Sequence, residues 1–303
     1  MAPLTLRPLS ASLLGSALAA VLAVPDLQAD TLEEILERGS IRIAVANERP
    51  YGYLNEAGEA LGAGPEVASR ILATLGIEEI EWVATEFKNL MPGLEVGRFD
   101  MAAAEMAIMP ERCSRVLFSD PNTSYGEGLL VLASNPNGIR AYEDFVERPD
   151  NIRVAVQAGT VTEAMFSELG VEADRVVTVE RLEEAVDALV RGRADAFAAT
   201  GMTVASLEET HPQVEAEFNF RDPVIDGREV RYYGGFAFPP DAQDLRDAFN
   251  EALEEEKRHG EWQQTLARHG FLTKDIIYSY RFDADQLCGG VSQALLTTSP
   301  APA

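Results

Sequence analysis

The sequence predicts an α/β chain folded as two similarly built lobes, with a ligand cleft between them and two strands crossing from one lobe to the other. Three observations carry that expectation. Short apolar strands alternate with amphipathic helical stretches, the grammar of parallel sheets with crossover helices. Two pairs of matched segments recur in the same order: "IRIAVANE" (41–48) with "IRVAVQAG" (152–159), and "GRFDMAAA" (97–104) with "GRADAFAA" (192–199). Strand-like segments at 129–138 and 232–241 run into Pro/Gly turns, where one unit would hand over to the other.

The elements follow in order. Thr31 and Glu34 make a capping-box pattern, Leu32, Ile35 and Leu36 give a helical stripe, and Gly39 stops it. "IRIAVA" (41–46) is nearly all apolar, which predicts a strand buried on both faces. Residues 64–76 predict a helix ended by glycine, "IEWVATE" a second strand, 87–100 a helix and turn, and "MAAAEM" a third strand. The second unit repeats this from residue 152. The chain is expected to leave the first lobe near 133 and return near 235, before two helices at 242–260 and 261–270. This gives a discontinuous lobe 1 (30–133 plus 236–288), lobe 2 (134–235) and a tail, 289–303, expected to be disordered. A small ligand belongs between such lobes, beyond the carboxyl ends of the strands.

Bulk properties narrow the function. The 303 residues are about two domains' worth, and a hydrophobic content of 46% supports a real core. Lys+Arg total 25 against Asp+Glu 50, a net charge of -25. That excludes nucleic acid as partner, because phosphate binding needs a basic face, and it disfavours anionic lipid. Residues 1–29 carry Arg7, an apolar stretch from Leu9 to Val24 and a small residue at Ala29, the pattern of a cleaved signal peptide. Export to an oxidising compartment follows from that reading. Two cysteines in an exported chain predict one disulfide, Cys113 to Cys288, against the alternative of two buried thiols. His211, His259 and His269 sit in polar contexts without a base-and-orienter arrangement. No cofactor or metal is expected.

The loops after strand ends are where binding residues should lie. They hold Asn47 to Tyr51, Glu86-Phe87, Ala107 with Pro110 to Arg112, Gly159-Thr160, and Thr200-Gly201. In these loops the chain resembles the periplasmic solute-binding proteins of ABC importers, in the branch that binds amino-acid-like solutes. The resemblance extends over nearly all of the chain after residue 29. It is carried by "ANERPYGY" (46–53), "TEF" (85–87), "MPGLEVGRFD" (91–100), "PERC" (110–113), "FSDP" (118–121), "AGT" (158–160), "GRADAFA" (192–198), "DLRDAFN" (244–250) and the late Cys288. The GRxDA and FSDP elements are widespread in that branch. The set ANERPY, TEF and PERC is narrower and resembles the ectoine/hydroxyectoine-binding proteins. The resemblance implies the two-lobed periplasmic binding protein fold (type II), a small zwitterionic solute, a membrane permease and its ATPase as partners, and a monomer that performs no chemistry.

The same resemblance implies roles for single residues. Glu48 would accept from the N–H groups of the solute, Tyr51 and Phe87 would wall a delocalised cation, Arg112 would hold the carboxylate, and Gly159 and Thr160 would add contacts from lobe 2. Each role has a physical basis. A guanidinium offers a planar fork to a carboxylate, and an aromatic face attracts a weakly hydrated cation by about 0.5–2 kcal/mol. Ordinary alternatives remain open at this stage. Arg112 could pair with Glu111 or Glu105, Tyr51 and Phe87 could be core residues, and Glu48 could be exposed. Thr160 with Glu163 reads as a capping box.

Two departures bear on the solute. Binders of common α-amino acids resemble this chain at GRxDA but carry an acidic residue five positions beyond the Asp, where Thr200 stands here. The ectoine group carries an aromatic residue where this chain has Ala107, with Glu105 just before it. Rival readings are a binder of a polar or cyclic amino acid, or a periplasmic dehydratase on the same fold, with Glu48 or Glu105 as general acid.

Overall fold

The computed structural model describes residues 30–148, 151–225 and 228–290. The expected signal peptide, and residues 291–303 of the expected tail, lie outside the described residues. The start of the chain follows local chemistry. Thr31 and Glu34 form both bonds of the capping box on α1 (Leu32–Arg38), and Gly39, in the left-handed region, ends it. β1 (Ser40–Val45) follows, then a small hairpin of β2 (Tyr53–Leu54) and β3 (Ala60–Leu61). Next come α2 (Ala63–Thr74), β4 (Glu79–Ala84), α3 (Leu90–Glu95) and β5 (Met101–Ala107). Then α4 (Pro110–Cys113), β6 (Leu117–Phe118) and β7 (Thr123–Tyr125) complete this half.

The second half holds β8 (Glu127–Leu132), α5 (Asp144–Glu147), β9 (Val154–Gln157), α6 (Val161–Glu168), β10 (Val176–Val179) and α7 (Leu182–Val190). It continues through β11 (Ala196–Thr200), α8 (Gly201–Thr210), β12 (Val214–Ala216) and a short hairpin of β13 (Val224–Ile225) and β14 (Arg228–Glu229). The long β15 (Tyr232–Phe238) then leads to α9 (Gln243–His259), α10 (Glu261–Arg268), α11 (Thr273–Tyr278) and α12 (Ala284–Cys288).

Two sheets result. One runs β4-β1-β5-β15-β6, with β7 also on β15; the other runs β10-β9-β11-β8-β12. In each, the first three strands are parallel and the next is antiparallel. The matched sequence segments occupy equivalent places: β1 and β9 are the second strands, and each GRxD leads into the third. The two aspartates do the same work. Asp100 Oδ2 accepts the Arg42 backbone N–H at 2.9 Å, and Asp195 Oδ2 accepts that of Arg153 at 2.8 Å. Every residue of β5 and β15 is buried, as a central pair covered on both faces requires. Phe249 of α9 packs edge-on against Phe236 and Phe238, closing one face.

The crossing points differ from the expectation. β8 pairs with β11 and β12, so 127–132 belongs to the second sheet and the chain leaves the first at Gly126. β15 pairs only within the first sheet, so the return crossing precedes Tyr232. The physical reason is plain: an apolar run such as "EGLLVL" announces a buried strand but not which sheet it joins. At the other end, Cys113 of α4 and Cys288 of α12 form a disulfide with Cα atoms 5.6 Å apart. That settles the choice between a bridge and two thiols. Among the described residues no helix is long and apolar enough to cross a membrane.

Candidate ligand-binding cleft

The first wall of the cleft is the turn after β1. Glu48 and Gly52 exchange backbone hydrogen bonds at 3.0 and 2.9 Å, which fixes Glu48 and Tyr51 on one tight loop. Both are buried, so Glu48 is not the solvent-exposed residue its charge allowed for. Facing them is the start of α8. The Tyr51 hydroxyl lies 2.7 Å from Thr200 Oγ1, Thr200 Oγ1 lies 2.8 Å from Thr203 Oγ1, and the Thr203 hydroxyl donates to Glu48 Oε1 at 2.5 Å. Thr200 also caps α8 by accepting the Thr203 N–H. One polar chain thus laces the β1 loop of the first lobe to a helix start of the second.

Arg112 forms the second wall. It sits on α4, opened by Pro110, directly beyond β5. Its guanidinium donates to the Ala107 carbonyl at 3.2 Å and to the Gly159 carbonyl at 3.0 Å, and lies 5.5 Å from the Phe87 ring centre. Among the described residues no carboxylate pairs with it. Glu111 is exposed, and Glu105 accepts from Asn122 Nδ2 at 2.6 Å and from the Thr123 hydroxyl at 2.8 Å. Arg112 is only 9% exposed, and burial pulls its pKa below the ordinary value. A buried cation satisfied by carbonyls alone is an expensive arrangement unless an anion joins it.

Gly159 lets the lobes meet there. Its φ is +78°, and a Cβ on it would stand 2.9 Å from the Cα of Lys88 in the first lobe. Lys88 in turn pairs with Glu180 of the second lobe. The next residue, Thr160, caps α6 by accepting the Glu163 N–H at 3.4 Å. The expected capping box is only half formed, because the Glu163 carboxylate reaches one residue further and accepts the Gly159 N–H at 2.9 Å.

Between these walls lies a cavity of about 30 Å³, so the lobes are in closed approach. Glu48, Tyr51, Phe87, Ala107 and Arg112 border it from one lobe, Thr160 and Thr200 from the other. Gly159 contributes its carbonyl to Arg112 instead. Sequence reasoning missed Tyr125, Gln157 and Thr162 on the same lining, and left the direction of Glu105 open; Glu105 borders the cavity too. Thr203 was also missed, although it lies one helical turn beyond Thr200, a usable signal. Thr162 could be found as the second residue of a helix whose N-cap was recognised.

Burial raises the acids around the cleft. The Glu48 carboxyl is pushed up to about 7 against the opposing Thr203 hydrogen bond. Glu105 rises to about 7 against Asn122 and Thr123, and Glu127 to about 7 against Tyr142 and Thr162. A carboxyl raised in the folded protein holds its proton more tightly folded than unfolded. Stability therefore falls as pH rises from the ordinary 4.5 to about 7, by at most about 1.4 kcal/mol per pH unit per group. The solute-free melting temperature should drop between about pH 5 and pH 7 and flatten above about pH 8. A flat melting profile over that window would show that these groups stay hydrated.

The sequence pattern of the bacterial extracellular solute-binding proteins, family 3, matches residues 41–272. The chain belongs to this family. Membership implies binding of a small solute and work with the permease and ATPase of an ABC importer. This family 3 protein is 44% identical to a probable amino-acid ABC transporter periplasmic-binding protein of Sinorhizobium fredii, over 91% of this chain and 92% of that one. It also resembles the crystal structure of EhuB in complex with hydroxyectoine, with a TM-score of 0.76 and 31% identity, over 85% of this chain and 97% of that one. A more distant relative is the cyclohexadienyl dehydratase of Pseudomonas aeruginosa, 27% identical over 64% of this chain and 72% of that one.

Proposed function

We propose that the protein captures a small zwitterionic compatible solute, ectoine or hydroxyectoine, in the periplasm. It closes its lobes on the solute and delivers it, as a monomer, to an ABC importer. The observation that carries this reading is Arg112, a buried guanidinium that no carboxylate pairs with among the described residues, bordering the same small cavity as the Glu48 carboxyl group. Arg112 takes the solute carboxylate, Glu48 its N–H groups, and Tyr51 and Phe87 flank the positive charge. Thr200 adds hydroxyl contact but no charge, which favours a delocalised cation over a primary ammonium. The likeness to the hydroxyectoine complex points the same way.

Polar or cyclic amino acids are the second reading, favoured by the relative named as an amino-acid transporter component. Dehydration is supported less well. Glu105 borders the cavity, but both its oxygens are engaged by Asn122 and Thr123, so it offers Glu48 no free partner for acid–base work. A melting-shift panel of ectoine, hydroxyectoine, betaines and amino acids separates these readings. A solute at about a thousandfold excess over its Kd stabilises by about 4 kcal/mol, so the ectoines should give the largest shifts. Shifts with amino acids alone would refute the ectoine reading, and turnover of a cyclohexadienyl acid would establish the enzyme.

A further inference from the structure

Ala107 and a tyrosine ring from another strand, Tyr125, border the same cavity. Ala107 ends β5 and faces Gly234 of β15, and Gly234 faces Thr123 of β7 on its other side. A Cβ on Gly234 would stand 2.6 Å from Thr123 Oγ1, 2.7 Å from the Glu105 carbonyl oxygen and 2.9 Å from Cε1 of Tyr125. Because that Cβ is missing, the Tyr125 ring crosses over β15 and reaches the end of β5. Its hydroxyl donates to the Glu105 carbonyl at 2.9 Å. Its ring meets that of Tyr51 at 5.4 Å and 62°, an edge-to-face pair. It borders the same cavity as Glu48 and Arg112.

From this geometry we infer that Tyr125 is a specificity-determining wall of the solute site, filling the volume that Ala107 and Gly234 together leave. The inference rests on reading the cleft as a zwitterion site. Two rings at a steep angle present aromatic surface to a weakly hydrated cation and give a strongly hydrated ammonium little in return. Tyr125 is also the last residue before the crossing at Gly126, so this wall belongs to the first lobe. The Tyr51 hydroxyl, by contrast, is held by Thr200 of the second. The hydrogen bond to Glu105 fixes the tilt of the ring at a residue whose own φ is +50°, uncommon for a side chain other than glycine.

The test is a double-mutant cycle of Tyr125→Ala and Ala107→Phe, with Tyr125→Phe as a third variant. Hydroxyectoine is titrated calorimetrically, and melting without solute shows that each variant is folded. Tyr125→Ala should weaken binding about tenfold, the size of one lost cation–aromatic contact. Tyr125→Phe keeps the ring and should stay within about threefold of the parent. Ala107→Phe alone crowds the ring and weakens binding, whereas the double variant should bind better than the product of the two losses predicts. Additive losses, or equal losses for Tyr125→Phe and Tyr125→Ala, would overturn the inference. The unaltered protein separates the two readings: if it binds no ectoine, the proposed solute is wrong, whereas ectoine binding with additive variants refutes only the role of Tyr125.

Discussion

Replacing Arg112 with methionine is expected to weaken solute binding at least about a hundredfold while leaving the protein folded. Truncating one partner of a buried, hydrogen-bonded charge pair costs about 2–5 kcal/mol, or about thirty- to several-thousandfold in Kd. Arg112 stands at the upper end of that range, since among the described residues no other cation borders the cavity. Methionine keeps most of the apolar stem packed beside Phe87. What it removes is a charge already burdened by burial and held by two carbonyls, those of Ala107 and Gly159. The melting temperature without solute should therefore stay within a few degrees of the parent. Arg112→Lys is a sharper probe. A lysine keeps the charge but cannot hold two carbonyls and fork to a carboxylate at once, so about a tenfold loss or more is expected. Calorimetric titration with the best solute of the panel measures both variants. A methionine variant that binds within about threefold of the parent would remove Arg112 from the site.

The ring of contacts around Arg112 also shows what holds the two lobes together. Three hydrogen bonds cross between the lobes here: Arg112 to the Gly159 carbonyl, Tyr51 with Thr200, and Thr203 to Glu48. In the proposed function each uses a side chain that would also face the solute. Closure and recognition then draw on the same atoms, which is how a solute could stabilise the closed form by contacts it makes only there.

Much of this was legible in the sequence, and the reasons are specific. The sheet grammar shows because strands buried on both faces are continuous apolar runs, and because Asp100 and Asp195 repeat one backbone contact in both units. Positions 48, 51, 87, 112, 160 and 200 stand out because they follow strands or open helices at the carboxyl ends of the sheets. What stayed hidden depends on residues distant in sequence. The partner of 127–132 is chosen by the second sheet, not by its own pattern. The inward carboxylate of Glu105 is held by Asn122 and Thr123, on a strand end no periodicity connects to it. Tyr125 reaches the cleft only because Gly234 has no side chain, a fact of three-strand register.

Replacing both cysteines, Cys113→Ser with Cys288→Ser, is expected to lower stability by about 4 kcal/mol or more. The bridge joins residues 175 positions apart, and closing so long a loop in the unfolded chain puts it at the upper end of what a disulfide supplies. For a protein of this size that corresponds to a fall in melting temperature of about 10 °C. The effect on binding should be smaller and more informative. Helices α4 and α12 have four and five residues, too few to persist without tertiary support. Pro110 opens α4 without a capping side chain, whereas Asp283 caps α12. The bridge fastens the two together one residue from Arg112. Without it, the guanidinium must be ordered anew at each binding event, and affinity should fall about three- to tenfold, at about 0.5–1.5 kcal/mol per immobilised side chain. Calorimetric melting and solute titration of the double variant separate the two effects. Lost stability with unchanged affinity would mean that β5 and Pro110 alone set the direction of Arg112. Unchanged stability would mean that the C-terminal helices are held by their apolar contacts, Leu287 and Ala284 above all.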